Sequence, residues 1–558
     1  MNNNGKANFM NDSSKGKFFS GFTIGFFISL PWLALMYAGQ RLFSWTHIPF
    51  ELFEFISWSL PGQVVTFSIE TLIRIVIFTG IGQTSATGKL IEIVLAYLLA
   101  IVILSLLAGL FAVTVGRLKY SWLIRGLIAG LILGFLTVLL ANWNGWGARN
   151  STSHILWLLG TSLAWSLGLA WGEDRYWMAI SREQDPDRKR VLGEMAIGSA
   201  VLTAAAFGIG RWLNLGIPGP GLAQSAGTPD PFSPSPTAPP PKLGFEPVPG
   251  TRPEVTPIED FYRVDINLLP PGDEEFFDTS DPLVQRLLQQ GGETDLPADS
   301  YVLAIDGLVS NPLVLSLEEI KTFPMVEQFA TLTCISNPVG GDLIDTTLFQ
   351  GARLKDILGT TELDPGVIDI KFTGVDGYTE SLALETALDP EVLLCYNMGN
   401  QPLTRSHGAP LRLYTPGRYG IKNPKWIIKI EALGSHYKGF WQQRGWTESG
   451  FVKSTSVIDT SQKGSDNLVM VGGIAYAGAR GIQGVEVQVD EGEWKKGELD
   501  RPLSHLSWVL WRAALKISPG EHKITVRSID GEGNIQTEER SPTQPNGATG
   551  HHSINITV

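Results

Sequence analysis

Two stretches of this sequence concentrate residues that could do chemistry. The first, Thr331-Leu332-Thr333-Cys334-Ile335-Ser336-Asn337, is a β-rich approach that ends at a cysteine and is followed by Gly340-Gly341. The second runs from His407-Gly408 through Arg412 and Gly417-Arg418-Tyr419-Gly420 to Asn423 and Lys425. Backbone N–H groups approach a ligand closely where no Cβ intrudes, and arginine and lysine add charge-assisted hydrogen bonds to phosphate. The second stretch therefore suits a polyanionic ligand. A cysteine taken alone is most often a small buried hydrophobe. Cys395, which has no such surroundings, reads as structural, and His436 as a packing or hydrogen-bonding histidine.

The elements that must position these residues follow from the local pattern. Over 258–440 the chain alternates strands and short helices between Gly/Pro turns, with a strand at Tyr301–Ile305 and short helices at 315–322 and 351–358. That is a mixed α+β domain. Over 441–558 the strand signals are Val469–Val471, Val485–Val489, Trp508–Trp511 and Lys523–Arg527, with turns at Asp490-Glu491-Gly492 and Asp530-Gly531-Glu532-Gly533. Short strands with a turn every dozen residues imply an immunoglobulin-like β-sandwich.

The remainder of the chain is a different material. Residues 1–215 carry 16 Lys+Arg against 11 Asp+Glu, while the rest of the 558 residues carry 27 against 44. Eleven of the 17 tryptophans fall in the first part. The acidic balance of the second part excludes nucleic acid as a partner, and two cysteines exclude a disulfide scaffold. Five stretches, near 18–39, 90–115, 122–142, 153–172 and 192–213, are apolar over the roughly 20 residues that a bilayer requires. A sixth, 58–81, carries Glu70 and Arg74 four residues apart, where they can pair. Lys6, Lys15 and Lys17, then Arg117, Lys119 and Arg125, then Arg175, Arg182, Arg188, Lys189 and Arg190 mark cytoplasmic loops. All three clusters share one side only if 58–81 does not cross, so that segment reads as re-entrant or interfacial. Five crossings then place everything after residue 215 outside the cytoplasm. Between Pro218 and Pro257 stand 13 prolines in 40 residues, a composition that favours an extended spacer.

With these residues in hand, the chain resembles a known family. Cys334-Ile335-Ser336-Asn337 with Gly340-Gly341-Asp342-Leu343-Ile344 resembles the molybdenum-cysteine loop of the sulfite-oxidase-like molybdopterin oxidoreductases. Phe261-Tyr262-Arg263-Val264-Asp265, Asp376-Gly377-Tyr378, His407–Arg412 and Gly420–Trp426 resemble further motifs of the same family in the same order. The resemblance covers roughly 255–558 and leaves the apolar part uncovered. It implies one pyranopterin per chain holding molybdenum, with Cys334 as the metal's protein ligand; a soft thiolate suits a thiophilic metal. It implies Tyr262, Arg263, Thr373, His407, Arg412, Asn423 and Lys425 as the residues that hold the Mo-molybdopterin, and Tyr378 as an active-site residue beside the metal. It also implies a homodimer through the C-terminal sandwich. That sandwich could equally pack on the catalytic core.

Departures from the family pattern bear on the substrate. Where the resemblance places arginines that grip a dianion, this chain has Val264 and Val339. A buried dianion without partners is very costly, so sulfite is disfavoured and a neutral oxo-acceptor such as a sulfoxide remains open. No haem-b5-like segment is present, so a separate electron-transfer partner is expected. Arg188-Lys189-Arg190-Val191-Leu192 resembles a degenerate twin-arginine signal, though an ordinary positive-inside stop reads equally well.

The expected architecture is multidomain. It comprises a membrane bundle over 1–215, a linker over 216–257, an α+β molybdopterin-binding domain over 258–440, and an immunoglobulin-like sandwich over 441–558. The expected function is a membrane-anchored molybdenum oxidoreductase, multi-pass in a bacterial-type cytoplasmic membrane, its catalytic domain extracytoplasmic and acting on a small molecule. The alternative is a cofactor-free binding or adhesion module on a membrane anchor.

Overall fold

The computed structural model describes residues 3–43, 45, 47–80, 82–115, 118–141, 152–181, 193–204, 244–266 and 301–558. They belong to two compact units, Met1–Leu60 with Lys89–Ser225, and Pro61–Gly88 with Ala226–Val558. The twin-arginine-like motif and the proline-rich stretch up to residue 243 lie outside the described residues.

Six long helices open the chain: α1 (Asn3–Phe43), α2 (Ile48–Ser59), α3 (Gly62–Thr79), α4 (Thr84–Val113), α5 (Trp122–Ala141) and α6 (Thr152–Ser181). Five segments are long and apolar enough to cross a membrane: Ser14–Gln40, Gly62–Thr79, Thr84–Val113, Trp122–Ala141 and Thr152–Met178. Four of these coincide with expected spans. Of the expected span 192–213 only 193–204 is described, and it is helical. Helix α3, expected not to cross, meets the same criterion of length and composition, and it is the long helix that falls wholly in the second unit. Its Glu70 and Arg74 stand 3.8 Å apart, the pairing that their spacing predicts.

In the first unit, α5 and α6 pack closely because α5 carries a glycine every fourth residue on one face. A Cβ at Gly126, Gly130 or Gly134 would lie 2.8, 2.7 or 2.8 Å from Leu167, Leu163 or Leu159. Small residues at this spacing let two helix backbones approach, so dispersion contacts replace a hydrophobic driving force that lipid cannot supply.

The second unit is built on four sheets. The first has the order β2 (Leu313–Ser316), β1 (Val302–Gly307), β10 (Ile427–Leu433), β5 (Asp369–Gly374) and β6 (Thr379–Ala383), with only the β1–β10 pair parallel. The second runs β3 (Met325–Thr333), β4 (Ile344–Arg353), β7 (Leu393–Met398) and β8 (Gln401–Pro402), and β9 (Arg412–Tyr414) pairs with β7. The expected short helices occur at Leu317–Lys321, where Ser316 and Glu319 form a capping box, and at Leu354–Gly359. Residues 351–353, expected at the start of that helix, instead complete β4. Every β4 residue from Ile344 to Ala352 is buried, because the strand is covered on both faces.

The third and fourth sheets lie C-terminal to these. One has the order β11 (Thr455–Lys463), β12 (Leu468–Tyr476), β16 (Val509–Lys516) and β15 (Glu498–Leu499). The other has β14 (Lys495–Lys496), β13 (Ile482–Val489), β17 (Glu521–Asp530) and β18 (His552–Thr557). Alternate residues of both, among them Val469, Val471, Trp511, Val487 and Ile524, share one apolar core.

The C-terminal end of the expected linker is not a spacer. Val248 is buried, Arg252 pairs with Asp459 at 2.7 Å, and the Thr256 hydroxyl donates to Asp345 at 3.0 Å. These contacts recruit 244–257 into the folded unit.

Phe349 at the centre of β4 is fully buried, stacked 4.7 Å from Tyr414 and edge-on to Phe261. Phe349→Ala should destabilise this unit by about 3–5 kcal/mol through the cavity it leaves, measured as a shift of the denaturant unfolding midpoint.

Candidate functional site

Cys334 is placed by the end of β3, and that end is held from two sides. The Thr331 N–H donates to Leu506 O at 3.0 Å, its carbonyl accepts from the Tyr476 hydroxyl at 3.0 Å, and its side-chain oxygen accepts from the Trp508 N–H at 2.7 Å. The C-terminal strands thus fix the register of the strand that delivers the cysteine. Beyond it the loop closes on itself: the Cys334 N–H donates to Leu343 O at 2.9 Å, and Asn337 Oδ1 accepts from the Leu343 N–H at 3.1 Å. Cys334 is 6% exposed, with Sγ 3.0 Å from the Ser336 hydroxyl. Burial pushes its pKa up, and hydrogen bonds from Ser336 and Ile335 offset only part of that. The thiol is thus neutral at neutral pH.

The facing wall comes from 405–425. His407 Nε2 lies 3.1 Å from the Ile258 carbonyl, and a carbonyl can only accept, so the proton sits on Nε2 and leaves Nδ1 as an acceptor. Burial, with Lys425 and Arg412 nearby, lowers the His407 pKa to about 3, so the ring is neutral. Gly408 follows with φ +105°, and a Cβ there would stand 3.0 Å from both Arg412 and Lys425; glycine lets the two cations converge. Arg412 donates from one terminal nitrogen to His407 O at 3.1 Å, while its buried Nε has no partner among the described residues. Lys425 spends two of its three donors, on Asp265 at 3.0 Å and on Ser406 O at 3.1 Å.

Loop 420–425 is anchored from below. Lys422 Nζ lies 2.7 Å from Glu380 Oε1, both side chains buried, and Gln442 donates to the other carboxylate oxygen at 2.8 Å. The Tyr378 hydroxyl donates to Ile421 O at 2.6 Å. Asn423 spends its amide on the backbone, donating to Tyr419 O at 2.9 Å and accepting from the Thr415 N–H at 2.6 Å.

These walls line an open pocket whose empty space, solvent at its mouth included, is about 690 Å³. Of the residues expected to form the site, Cys334, Tyr378, Tyr262, His407, Arg412, Asn423 and Lys425 line it. Arg263 stands just behind, its guanidinium 2.6 Å from the pocket-lining Asp265. Thr373 does not reach it. That residue pairs in register with Lys429 and Thr379 in the middle of the first sheet and is absent from the pocket wall. Val264 is on the wall; Val339 is not. Cys395 is fully buried in the core, as a packing residue should be, whereas His436 is 81% exposed at its side chain and meets Asp369 at 3.2 Å, a hydrogen-bonding rather than a packing histidine. The pocket also recruits Asp265, Asp376 and Trp441, which the sequence did not single out. Asp376 is buried and its pKa is raised, chiefly by desolvation. A lone acidic residue inside a recognised motif was the available signal. Trp441 falls one residue past the expected domain boundary, so the wall crosses that boundary.

Comparison with known proteins decides the class. Residues 291–441 match the model of the oxidoreductase molybdopterin binding domain, and 451–544 match that of the Mo-co oxidoreductase dimerisation domain. This region belongs to the sulfite-oxidase-like molybdopterin oxidoreductases. Among curated relatives of the molybdopterin domain are mitochondrial sulfite oxidases of Drosophila melanogaster, 30% identical over 43% of this chain and 52% of that protein, and of Homo sapiens, 29% identical over 44% and 55%. Nitrate reductase [NADH] 1 of Oryza sativa subsp. japonica is 26% identical over 43% of this chain and 34% of its own. The chain spans about half the length of the first two. Among solved structures, the sulfane dehydrogenase SoxCD from Paracoccus pantotrophus aligns over 46% of this chain and 75% of its own, at 20% identity and a TM-score of 0.41.

The cofactor of a molybdopterin domain is Mo-molybdopterin, and the residues present fit it. A soft sulfur donor and two cations line the same pocket, the unspent Nε of Arg412 suits a phosphate oxygen, and neutral His407 offers an acceptor.

Two outcomes follow. Lys422→Met strands the Glu380 carboxylate in the interior, which should cost about 3–5 kcal/mol of stability, whereas Lys422→Met with Glu380→Gln should recover most of the loss; thermal unfolding of the three chains decides. For His407, the folded pKa lies below the unfolded value, so its stabilisation is present above pH 6.5 and is lost as pH falls toward 3. Its contribution to the slope of stability against pH is about 1.4 kcal/mol per unit in that window, and His407→Gln should remove it in denaturant titrations between pH 6 and 4.

Proposed function

We propose that the chain is a membrane-anchored oxidoreductase in which Cys334 ligates the molybdenum of one pyranopterin cofactor. The observation that carries this is that Cys334, His407, Arg412 and Lys425 line one and the same pocket. When bound, the cofactor supplies two-electron oxygen-atom-transfer chemistry. The chain's own residues set the conditions for it. Arg412 and Lys425 would take the pterin's phosphate, with Asp265 keeping Lys425 charged and in place and Arg263 holding Asp265 from its other side. His407 Nδ1 accepts a hydrogen bond from the ring system. Tyr262, whose N–H donates to Asp345 at 2.7 Å, and Trp441 shut out water. Tyr378 is held by Ile421 O with its ring on the pocket wall, where its hydroxyl orients the substrate.

The substrate is a small neutral oxo-compound, a sulfoxide for instance, in preference to sulfite. Val264 presents an aliphatic surface to the pocket, which cannot compensate a desolvated dianion. Electrons pass to or from a separate protein or carrier. The C-terminal sheets form an immunoglobulin-like sandwich through which two copies pair, and the catalytic unit lies on the extracytoplasmic face of a bacterial-type membrane, as the distribution of Lys and Arg among the loops dictates.

Metal analysis tests the central claim. The full chain should carry about one molybdenum, and Cys334→Ser should abolish oxygen-atom transfer and most of the metal; a matured chain without molybdenum refutes the reading. A screen of sulfite against sulfoxides and N-oxides tests the substrate class. Val264→Arg should lower the KM for sulfite by about tenfold, equivalent to roughly 1.4 kcal/mol.

A further inference from the structure

Helix α3 lies wholly within the same compact unit as the molybdopterin domain, and it has two unlike faces. Along one, Thr66 and Val76 are buried and Ile73 packs on the cluster that contains Phe261, Tyr262 and Cys334. Glu70 accepts from the Thr543 hydroxyl at 2.6 Å. At the N-terminal end a Cβ on Gly62 would lie 2.7 Å from the Arg444 side chain. Just past the C-terminal end, the Thr84 N–H donates to Asp342 at 2.9 Å. The helix therefore touches the unit at its start, middle and end. Eighteen residues span about 27 Å at 1.5 Å each, so α3 runs along the surface of the unit.

The opposite face is apolar and uncovered. Val64, Phe67, Ile75 and Phe78 recur at helical spacing and are 44%, 71%, 51% and 92% exposed, with the Arg74 side chain 77% exposed among them. A patch of this kind on a surface marks a partner. The connectivity says which one. The chain leaves α3 directly into α4, and α4 and the Ser14–Gln40 segment upstream are both long and apolar enough to cross a membrane. Arg74 already meets Glu70 at 3.8 Å, so the face offers no unanswered charge for a second protein copy to pair with. A bilayer surface accommodates this face: aromatic and aliphatic side chains enter the acyl boundary while the arginine reaches the phosphates.

We propose that α3 is an interfacial helix whose Val64–Phe67–Ile75–Phe78 face lies on the lipid bilayer, holding the molybdopterin unit against the membrane with the helix axis in the bilayer plane. The inference rests on the membrane-anchored reading given above and goes beyond it. The catalytic unit is fastened to the membrane by a helix packed on the same core as its pocket wall, about one helix diameter, roughly 10 Å, from the headgroups, rather than suspended on the proline-rich stretch.

The test uses the full chain at one copy per nanodisc of phosphatidylcholine and phosphatidylglycerol. Cys334 and Cys395 are buried, so single cysteines placed by Val64→Cys, Thr71→Cys and Phe78→Cys accept an environment-sensitive fluorophore, with exposed Glu532→Cys as the aqueous control. Nitroxide lipids labelled at the headgroup or deep in the acyl chain then report depth. The expected result is equal, shallow quenching at 64, 71 and 78 and none at 532. Deep quenching at 71 with shallow quenching at 64 and 78 would mean a helix that crosses, and absence of quenching at all three would mean water or protein contact; either overturns the proposal. Molybdenum content measured on the same samples reports separately on the functional reading, since depth does not depend on metal.

Discussion

A pocket that gathers a thiol, two cations and two carboxyl groups can exist only if nearly every charge in and beneath it is already answered by the protein. Burial works against each charged form: it raises Cys334 and Asp376 and lowers Lys425 and His407. The structure meets this cost pair by pair. Asp265 sits between Arg263 and Lys425, Glu380 between Lys422 and Gln442, and His407 is kept neutral against a carbonyl. What remains unspent, the Nε of Arg412, suits a phosphate, and the Cys334 sulfur, hydrogen-bonded to the Ser336 hydroxyl, is a soft donor on the same pocket. The rest of the fold can be understood as the apparatus that keeps this accounting in place.

That apparatus explains why the two β-rich regions act as one. The strand leading to Cys334 takes hydrogen bonds from Tyr476 and Trp508 and donates one to Leu506. A single apolar cluster joins Ile335, Ile344 and Ile421 to Val457, Ile474 and Trp508. A thiol held only by its own loop would share the loop's mobility. Held between two cores, it has one position, which is the precondition for presenting a ligand at fixed geometry. The C-terminal region therefore serves the site whether or not it also pairs two copies.

The parts of the site carried by contiguous motifs were legible in the sequence. Cys334 with its glycine pair, and His407 through Lys425, each fall within one short stretch of chain, where spacing along the chain nearly is spacing in space. Thr373 was not legible, because the middle of an antiparallel sheet assigns a side chain by register with Lys429 and Thr379, which no local pattern states. Asp265, Asp376 and Trp441 were passed over for a related reason: each is ordinary in its own neighbourhood and acquires meaning from residues more than a hundred positions away, or across an expected boundary. The proline-rich segment misled at its C-terminal end. Composition announces an extended chain but says nothing about the Asp345 and Asp459 carboxylates that capture it.

The sequence by itself determined the division of the chain into an apolar basic part and an acidic β-rich part, the class of ligand the glycine-flanked cations would suit, and the cysteine that faces it. These depend on composition and on short-range geometry, which a linear string contains. Only the tertiary structure decided which charges neutralise one another, where one domain's wall ends and the next begins, and the place of α3. Hydropathy averages a helix over all its faces. The contacts of Gly62, Glu70 and Ile73 separate those faces, because burial is a property of what lies opposite, and the sequence does not record what lies opposite.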